Sequence, residues 1–255
     1  TDGSSKLGAN HKWGFFPSAS AAWIISNEEF MKKQKIFSTL KLRAGYGVTG
    51  NQDAISPLNS LQVLSPNGIS SYNNQSVVTY AVASNANPDL KWETTITRNL
   101  GLDFTVLGGK LNGTIEAYLN TTTDLLIQFP VGGTGYDTQY RNMGKTENKG
   151  IEASINWTIV NKKDWGVSFN ANIGFNKNTI KDLGMMNDFG AETYWASSEI
   201  GNDFWIAKGG SVGQMYGYRS DGRYEASDFV GYDAATDSWI LKEGVVDASA
   251  VVGKI

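Results

Sequence analysis

Several features of soluble enzymes are missing from this sequence of 255 residues. Cysteine is absent, and histidine occurs once, at His11. Disulfide bonds and thiolate-bound metals are therefore excluded, and a catalytic or metal-binding cluster of histidines is nearly excluded. Charged residues make up only 18% of the chain, below the ~25% typical of soluble domains. The net charge of −3 gives no indication of nucleic-acid binding.

Long apolar runs are also missing. No segment approaches the ~18 consecutive apolar residues of a transmembrane helix, and Thr1–Asn10 has neither the basic start nor the apolar core of a signal peptide. A β-strand that crosses a membrane needs only about 9–11 residues of alternating pattern, so a membrane location is not excluded. Glycine, with 29 residues, and the aromatics, at 12%, are plentiful, which is typical of a β-rich chain with many turns.

The main signal in the sequence is alternation of apolar and polar residues. A period of two over such long segments predicts strands rather than helices. The glycine pair Gly108-Gly109 is suited to the positive φ angles of a tight turn between two of them. The segments with the long alternation are Ile96–Val106, Ile151–Ile159 and Trp165–Phe175. Leu111–Leu119 is the strand that follows the glycine pair, and weaker strand patterns predict two more, Trp13–Ile25 and Leu40–Val48.

One helix is predicted between the first two strands. Ser26 followed three residues later by Glu29 has the spacing of a capping box, which begins a helix. Such a helix would carry Phe30 and Phe37 at a helical spacing.

The connections between the strands alternate in length. The short ones are Ser26–Thr39, Gly108-Gly109 and Asn161–Lys163, and the long ones are Asn51–Lys91, Asp124–Lys149 and the residues after Asn178. Short turns on one side and long loops on the other are typical of an outer-membrane barrel. A soluble β-sandwich also alternates, but its strands are usually about 5–6 residues long. The polar faces here are mostly Asn, Ser, Thr and Gly, which favours a barrel lumen over open solvent.

Five blocks of sequence make the prediction more specific. They are WGFFPSASAAW at 13–23, LKLRAGYGVTGNQ at 40–52, NPDLKWETT at 87–95 followed by NLGLDF at 99–104, YLNTTTDLL at 118–126, and NMGKTENKGIE at 142–152. In this order they resemble the barrel of the SusC/RagA family of TonB-dependent transporters. The Tyr216-Gly217-Tyr218 segment with Asp221-Gly222 also fits a loop of that family.

The resemblance implies an all-β fold, an antiparallel transmembrane β-barrel of about 22 strands. This chain would supply about six of them, with residues 1–177 forming strands and short periplasmic turns and residues 178–255 forming mostly extracellular loop. It implies import of glycan oligomers or peptides through the outer membrane of a Gram-negative, Bacteroidetes-type bacterium. A SusD-like surface lipoprotein and the TonB complex would be its partners. No cofactor, metal or nucleic acid is expected.

Two motifs spell enzyme sites but lack the required context. The Gly45-x-Gly47-x-x-Gly50 spacing of a dinucleotide fingerprint is followed by loop residues instead of a helix. The nucleophile-elbow spelling around Ser211 has no histidine after it. Asp103, Glu116 and Glu152 lie on polar strand faces, where hydrogen-bonded, lumen-facing groups are expected in place of catalysts. No catalytic residue is therefore predicted.

Aromatic residues fall into two groups by position. Trp157, Trp165 and Phe175 are expected near strand ends on the apolar face, as girdle or packing residues. Aromatics in the long loops are the candidates for contact with substrate or lipoprotein, because sugar rings stack on exposed aromatic side chains. These candidates are Tyr136, Tyr140, Trp195, Trp205, Tyr216 and Tyr218. The alternative function is a soluble carbohydrate-binding or adhesin-like β-sandwich module that uses the same loops; a β-rich hydrolase has only the two motifs in its favour.

Overall fold

Antiparallel strands are the main secondary structure of the described residues. The computed structural model describes residues 1–82, 85–133, 135–136, 138–193, 201–217 and 222–245. The strands are β1 (Asp2–Gly3), β2 (Trp13–Gly14), β3 (Ser18–Ile24), β4 (Phe37–Asn51), β5 (Leu64–Tyr72), β6 (Gln75–Val82), β7 (Glu93–Val106), β8 (Leu111–Thr123), β9 (Leu126–Pro130), β10 (Thr138–Asn142), β11 (Lys145–Asn161), β12 (Gly166–Asp182), β13 (Asp188–Ala191), β14 (Phe204–Ala207), β15 (Phe229–Asp233) and β16 (Ser238–Leu241). The helical elements of the described residues are 3₁₀ turns of three residues each. Within the same residues, no helix is long and apolar enough to cross a membrane.

In the described part of the chain, six strands form one sheet in the order β3-β4-β7-β8-β11-β12, and each is antiparallel to its neighbour. These are the six strands that the sequence predicts, so the all-β antiparallel prediction is confirmed. Most are longer than predicted: β11 and β12 span 17 residues each. β12 continues past Phe175 to Asp182, so the prediction that Phe175 lies near a strand end is wrong. Phe175 pairs with Ile151 in the middle of the ladder.

The alternation of short and long connections is also confirmed. Between β7 and β8 the chain turns at Gly108 (φ 62°) and Gly109 (φ 92°), in the conformation that glycine favours. The long connections contain hairpins of their own: β5/β6 after β4, β9/β10 after β8, and β13/β14 after β12. The sequence predicts loops for these segments, so the hairpins within them are a difference from the prediction.

The predicted helix after Ser26 is wrong. Two 3₁₀ turns, Ile25–Asn27 and Glu29–Met31, replace it, and neither has a side-chain cap. Glu28 between them is extended (ψ 148°), and its carboxylate accepts a hydrogen bond of 2.8 Å from the Trp23 indole. Phe37, which the predicted helix would include, belongs instead to β4, where it pairs with Val106.

Among the described residues, the buried apolar cluster of the first unit is small and lies mainly among the long connections. It consists of Leu7, Ile55, Leu90 and Leu126, with Trp92 and Tyr140 packed against it. Ile55 follows β4, Leu90 precedes β7 and Leu126 follows β8, so the cluster ties together the chain at the long-connection end of the central strands. Apart from the six-stranded sheet, the described residues form only two-stranded sheets, so they do not contain the second large sheet of a β-sandwich.

The chain divides into two compact units, Thr1–Tyr216 and Gly217–Ile255. The six-stranded sheet and three of the hairpins belong to the first unit. The second contains the β15/β16 hairpin, in which the rings of Tyr224, Phe229, Trp239 and Tyr232 follow one another in contact, with centroid distances of 5.3 to 5.6 Å.

Candidate functional site

One face of the sheet is polar and carries a charged network. Arg43 on β4 donates a hydrogen bond from Nε to Oδ2 of Asp103 at 2.9 Å and another from Nη2 to Oε2 of Glu116 at 3.3 Å. Thr114 donates to Oδ1 of Asp103 at 3.1 Å. The expectation that Asp103 and Glu116 are hydrogen-bonded is confirmed. These groups satisfy one another's hydrogen bonds and charges, so the network has a structural role.

Uncharged polar groups surround this network and form rows across the strands. Asn148 on β11 pairs with Asn120 on β8 and with Asn178 on β12, and the Asn178 amide donates to Oδ1 of Asn148 at 2.7 Å. The neighbouring row places Tyr118 beside Gly150, where an added Cβ would lie 2.6 Å from the tyrosine hydroxyl. Glycine at position 150 therefore gives the Tyr118 side chain room to lie across β11.

The opposite face of the sheet is apolar and uncovered. Leu100 is 53% exposed, Ile151 is 55% exposed and Ile173 is 58% exposed, although all three lie in central parts of their strands. Trp157 lies toward the short-turn end of β11, paired with Phe169, and Trp165 lies in the short turn itself. An apolar surface of this extent is typical of a face that contacts another apolar phase.

Tyr140, one of the predicted contact residues, lies on β10 and is half-buried. Its ring packs against the loop core of Leu7, Ile55, Leu90 and Leu126. Its carbonyl accepts a hydrogen bond of 2.9 Å from the Asn87 amide. Tyr140 therefore joins the β9/β10 hairpin to the segment before β7.

Tyr136 lies in the turn between β9 and β10. Its hydroxyl donates a hydrogen bond of 3.1 Å to the carbonyl of Val82, at the end of β6. Tyr136 also lines a cavity of about 330 Å³ with residues of the β4–β7 connection. Among them are Ser60, Gln62 and Asn85, which the sequence analysis missed. Their uncharged side chains have no spacing that marks a site, so no sequence signal distinguishes them.

Trp205 and Tyr216 form a pair of rings. Their centroids are 5.2 Å apart, with the planes tilted by 35°. The backbone holds the pair in place, because Trp205 N donates to the Gln214 carbonyl at 3.0 Å and Tyr216 N donates to the Asp203 carbonyl at 2.9 Å. Tyr216 remains 55% exposed, so one side of the pair is open to solvent. Asp203 is buried and its carboxylate accepts hydrogen bonds from the backbone N and the hydroxyl of Thr193.

The predicted contact residues therefore do not form one cluster of rings. Trp205 contacts Tyr216, whereas Tyr136 lines a cavity and Tyr140 packs in the loop core. Trp195 and Tyr218 lie outside the described residues. Within the described ranges, no group of His, Asp or Glu side chains has the arrangement of a metal site.

The second unit contains a turn stabilised by Asp233. Its carboxylate accepts hydrogen bonds of 2.9 Å from the backbone N of Ala235 and from the Thr236 hydroxyl, and these bonds lower the pKa of Asp233. The Tyr232 hydroxyl donates to Asp237, which raises the pKa of Tyr232. Both are local turn interactions.

Comparison with known proteins agrees with this architecture. The family described as TonB dependent receptor-like, beta-barrel, matches residues 1–252. The chain is 36% identical over 227 residues to TonB-dependent receptor P39 of Formosa agariphila, a match that covers 88% of this chain and 20% of that protein. It is 38% identical over 193 residues to TonB-dependent receptor SusC of Bacteroides thetaiotaomicron, covering 71% of this chain and 18% of that protein.

The fold of this chain is also similar to that of a solved structure. The RagAB peptide importer in its 'closed-closed' state matches with a TM-score of 0.71 and 26% identity, over 96% of this chain and 25% of that chain. The chain spans about a fifth of the length of the curated relatives it matches. This protein belongs to the TonB-dependent receptor-like β-barrel family, as a barrel segment of the SusC/RagA type.

Proposed function

We propose that this chain forms part of the wall of an energy-coupled nutrient importer in the outer membrane of a Bacteroidetes-type bacterium. The transported molecules are glycan oligomers or peptides. A SusD-like lipoprotein meets the long connections on the extracellular side, and the TonB complex acts through parts of the protein outside this sequence. The chain has no enzymatic role in this proposal.

The observation that carries the proposal is the uncovered apolar face of the six-stranded sheet. Leu100, Ile151 and Ile173 are more than half exposed in the middle of strands of 14 to 17 residues. A strand needs about 9–11 residues to cross the hydrocarbon core of a bilayer, so these strands are long enough to span it. The polar face with Arg43 and Asp103 would then line the lumen, as in barrels whose strands alternate apolar-out and polar-in.

The long connections support the extracellular part of the proposal. The hairpins β5/β6, β9/β10 and β13/β14 all leave the same end of the sheet, and this end carries the Trp205–Tyr216 pair. An exposed aromatic pair offers flat apolar surface to a sugar ring or to an apolar side chain. The same residues are available to a protein partner, since aromatic residues are enriched at interfaces.

The test is made on the full-length parent protein, expressed with a signal sequence in a Bacteroidetes host. Membrane fractions are run on electrophoresis with and without boiling, and a closed barrel is expected to give an outer-membrane band that shifts on boiling. A parent protein that stays in the soluble fraction and shows no shift would overturn the proposal. Affinity purification from the same membranes then tests the partner, because a surface lipoprotein is expected to co-purify in near-stoichiometric amount.

A further inference from the structure

The proposed function assigns no ligand to the cavity in the long connections. Its volume is about 330 Å³, near the lower end of the ~300–1,000 Å³ range of ligand pockets, so it suits one small unit of a ligand. The lining residues come from the segment between β4 and β7 and from the β9–β10 turn. They are Ser60, Gln62, Val82, Asn85, Ala86, Pro88 and Tyr136.

The walls of the cavity are fixed by hydrogen bonds between the two connections. Tyr136 donates to the Val82 carbonyl at 3.1 Å. The amide Nε2 of Gln139 donates to Oδ1 of Asn85 at 3.1 Å and to the Ala86 carbonyl at 2.9 Å. The cavity is therefore largely formed before any ligand enters, as is usual for small-molecule sites.

Ser60 indicates that the cavity takes a polar ligand. The residue is only 5% exposed, and among the described residues its Oγ has no hydrogen-bond partner. A buried hydroxyl without a partner is unfavourable, so a hydrogen bond from a ligand in the cavity would remove that cost. Ser60 can both donate and accept, and the amide group of Asn85 still has its Nδ2 hydrogens to donate after accepting the bond from Gln139.

Among the described residues, the lining contains no charged side chain. A charged ligand group would lose its hydration there without gaining an opposite charge, which is strongly unfavourable. The wall is mixed: Ser60, Gln62 and Asn85 supply hydrogen-bonding groups, and Val82, Ala86 and Pro88 supply apolar surface. A pyranose ring has the matching chemistry, with hydroxyl groups around its edge and C–H groups on its faces.

We propose that this cavity binds one uncharged sugar unit of a neutral oligosaccharide on the extracellular side. The proposal rests on the proposed function for the source of the ligand. It adds to that function the position of a binding site and the charge and chemical class of its ligand. The Ser60 hydroxyl turns into the cavity and exchanges hydrogen bonds with a sugar hydroxyl, Asn85 donates to another, and the Gln62 amide supplies a further hydrogen-bonding group.

The probe is an array of immobilised neutral gluco-, manno-, xylo- and galacto-oligosaccharides, with neutral and charged peptides on the same surface. The full-length parent in detergent is applied to the array, and its tightest neutral oligosaccharide is then titrated against wild type and variants. Ser60→Ala is expected to weaken binding about five-fold, the loss of one hydrogen bond. Gln62→Ala is expected to weaken binding as well. Neither substitution removes a hydrogen bond recorded within the protein, so both variants should fold.

Ser71→Ala is the matched control, because Ser71 is an exposed serine on β5 outside the cavity, and it should bind as wild type does. Unchanged affinity in Ser60→Ala, binding of none of the oligosaccharides, or a Ser60-dependent site that takes only peptides would each overturn the proposal. The heat-induced band shift is read on the same preparation. A missing shift would count against the barrel function, whereas a normal shift with unchanged affinity in Ser60→Ala would count against the sugar site alone.

Discussion

Arg43 and Glu116 are hydrogen-bonded although a whole strand, β7, lies between their strands. The distance from Nη2 to Oε2 is 3.3 Å. The β7 residue between them in the register is Gly101, which pairs with both Arg43 and Glu116. A Cβ at this position would lie 2.6 Å from Nη2 of Arg43. Because Gly101 has no side chain, the side chain of Arg43 has room to cross β7 at this position.

The first prediction follows from this path. Gly101→Ala should displace the Arg43 guanidinium and leave Glu116 and Asp103 without their shared cation. We expect a loss of stability of about 0.5–1.5 kcal/mol, because the flexible guanidinium can move aside and the cost is that of its weakened hydrogen bonds. The full-length protein is folded into lipid vesicles, and the urea concentration at which the unboiled band disappears is measured for wild type and variant.

Gly174→Ala is the control for this substitution. Gly174 pairs with Glu152 in the same row of the sheet, but its added Cβ would be 3.4 Å from Cγ of Glu152, an ordinary contact. The control should unfold at the wild-type urea concentration or slightly above it. If both alanine variants unfold at the same urea concentration, the position of the Arg43 side chain does not depend on the missing Cβ of Gly101.

The sequence predicts the sheet well because local patterns determine it. Long alternation places three of the six strands, and Gly108-Gly109 marks the turn into a fourth because glycine favours positive φ. The β5/β6 hairpin also had a signal, since Asn73 (φ 50°) and Asn74 (φ 60°) form a two-residue turn that asparagine tolerates. The turn lies within Asn51–Lys91, for which the sequence predicts a loop.

The errors and omissions come from interactions between distant residues. The helix after Ser26 was predicted from local spacing, yet pairing of Phe37 with Val106 extends β4 through that residue. Nothing local in the sequence brings Tyr136 to Ser60, because hydrogen bonds between two separate connections form their cavity. The register that places Gly101 between Arg43 and Glu116 is likewise a property of the folded sheet.

The second prediction concerns the Trp205–Tyr216 pair. Tyr216→Ala removes a ring that is 55% exposed and lies 5.2 Å from Trp205. If the pair contacts the transported molecule, binding of the tightest array ligand should weaken roughly two- to twelve-fold, the equivalent of ~0.5–1.5 kcal/mol for a ring contact. The heat-induced band shift should stay normal. Tyr72→Ala, which removes an exposed tyrosine from β5, is the control and should bind as wild type does.

The third prediction concerns the pH dependence of the turn at Asp233. Hydrogen bonds from Ala235 N and the Thr236 hydroxyl lower the pKa of this carboxyl group, and it lies outside the six-stranded sheet. Because the folded pKa is lowered, the stabilising effect is complete above the ordinary carboxyl pKa of about 3.9 and is lost as the pH falls through the folded pKa. A ¹³C titration of the Asp233 carboxyl should therefore give a midpoint below the ordinary value.

Thr236→Ala removes the one side-chain donor to Asp233. In this variant the titration midpoint should move back toward the ordinary value without reaching it, since the backbone bonds from Ala235 and residue 236 remain. An ordinary midpoint in the wild-type protein would show that the turn does not hold the carboxylate in solution.

The central claim is that one face of the sheet contacts lipid and the other does not. Ile173 and Asn172 are adjacent on β12 and point to opposite faces, so arginine at each position tests the two faces separately. The measurement is the fraction of full-length protein that gives a heat-modifiable outer-membrane band in Ile173→Arg and Asn172→Arg. We predict a strong loss for Ile173→Arg, because an arginine facing the bilayer midplane costs about 2–4 kcal/mol, and a near-normal band for Asn172→Arg. Equal bands for the two variants would contradict the account, since an exposed residue in water tolerates arginine on either face.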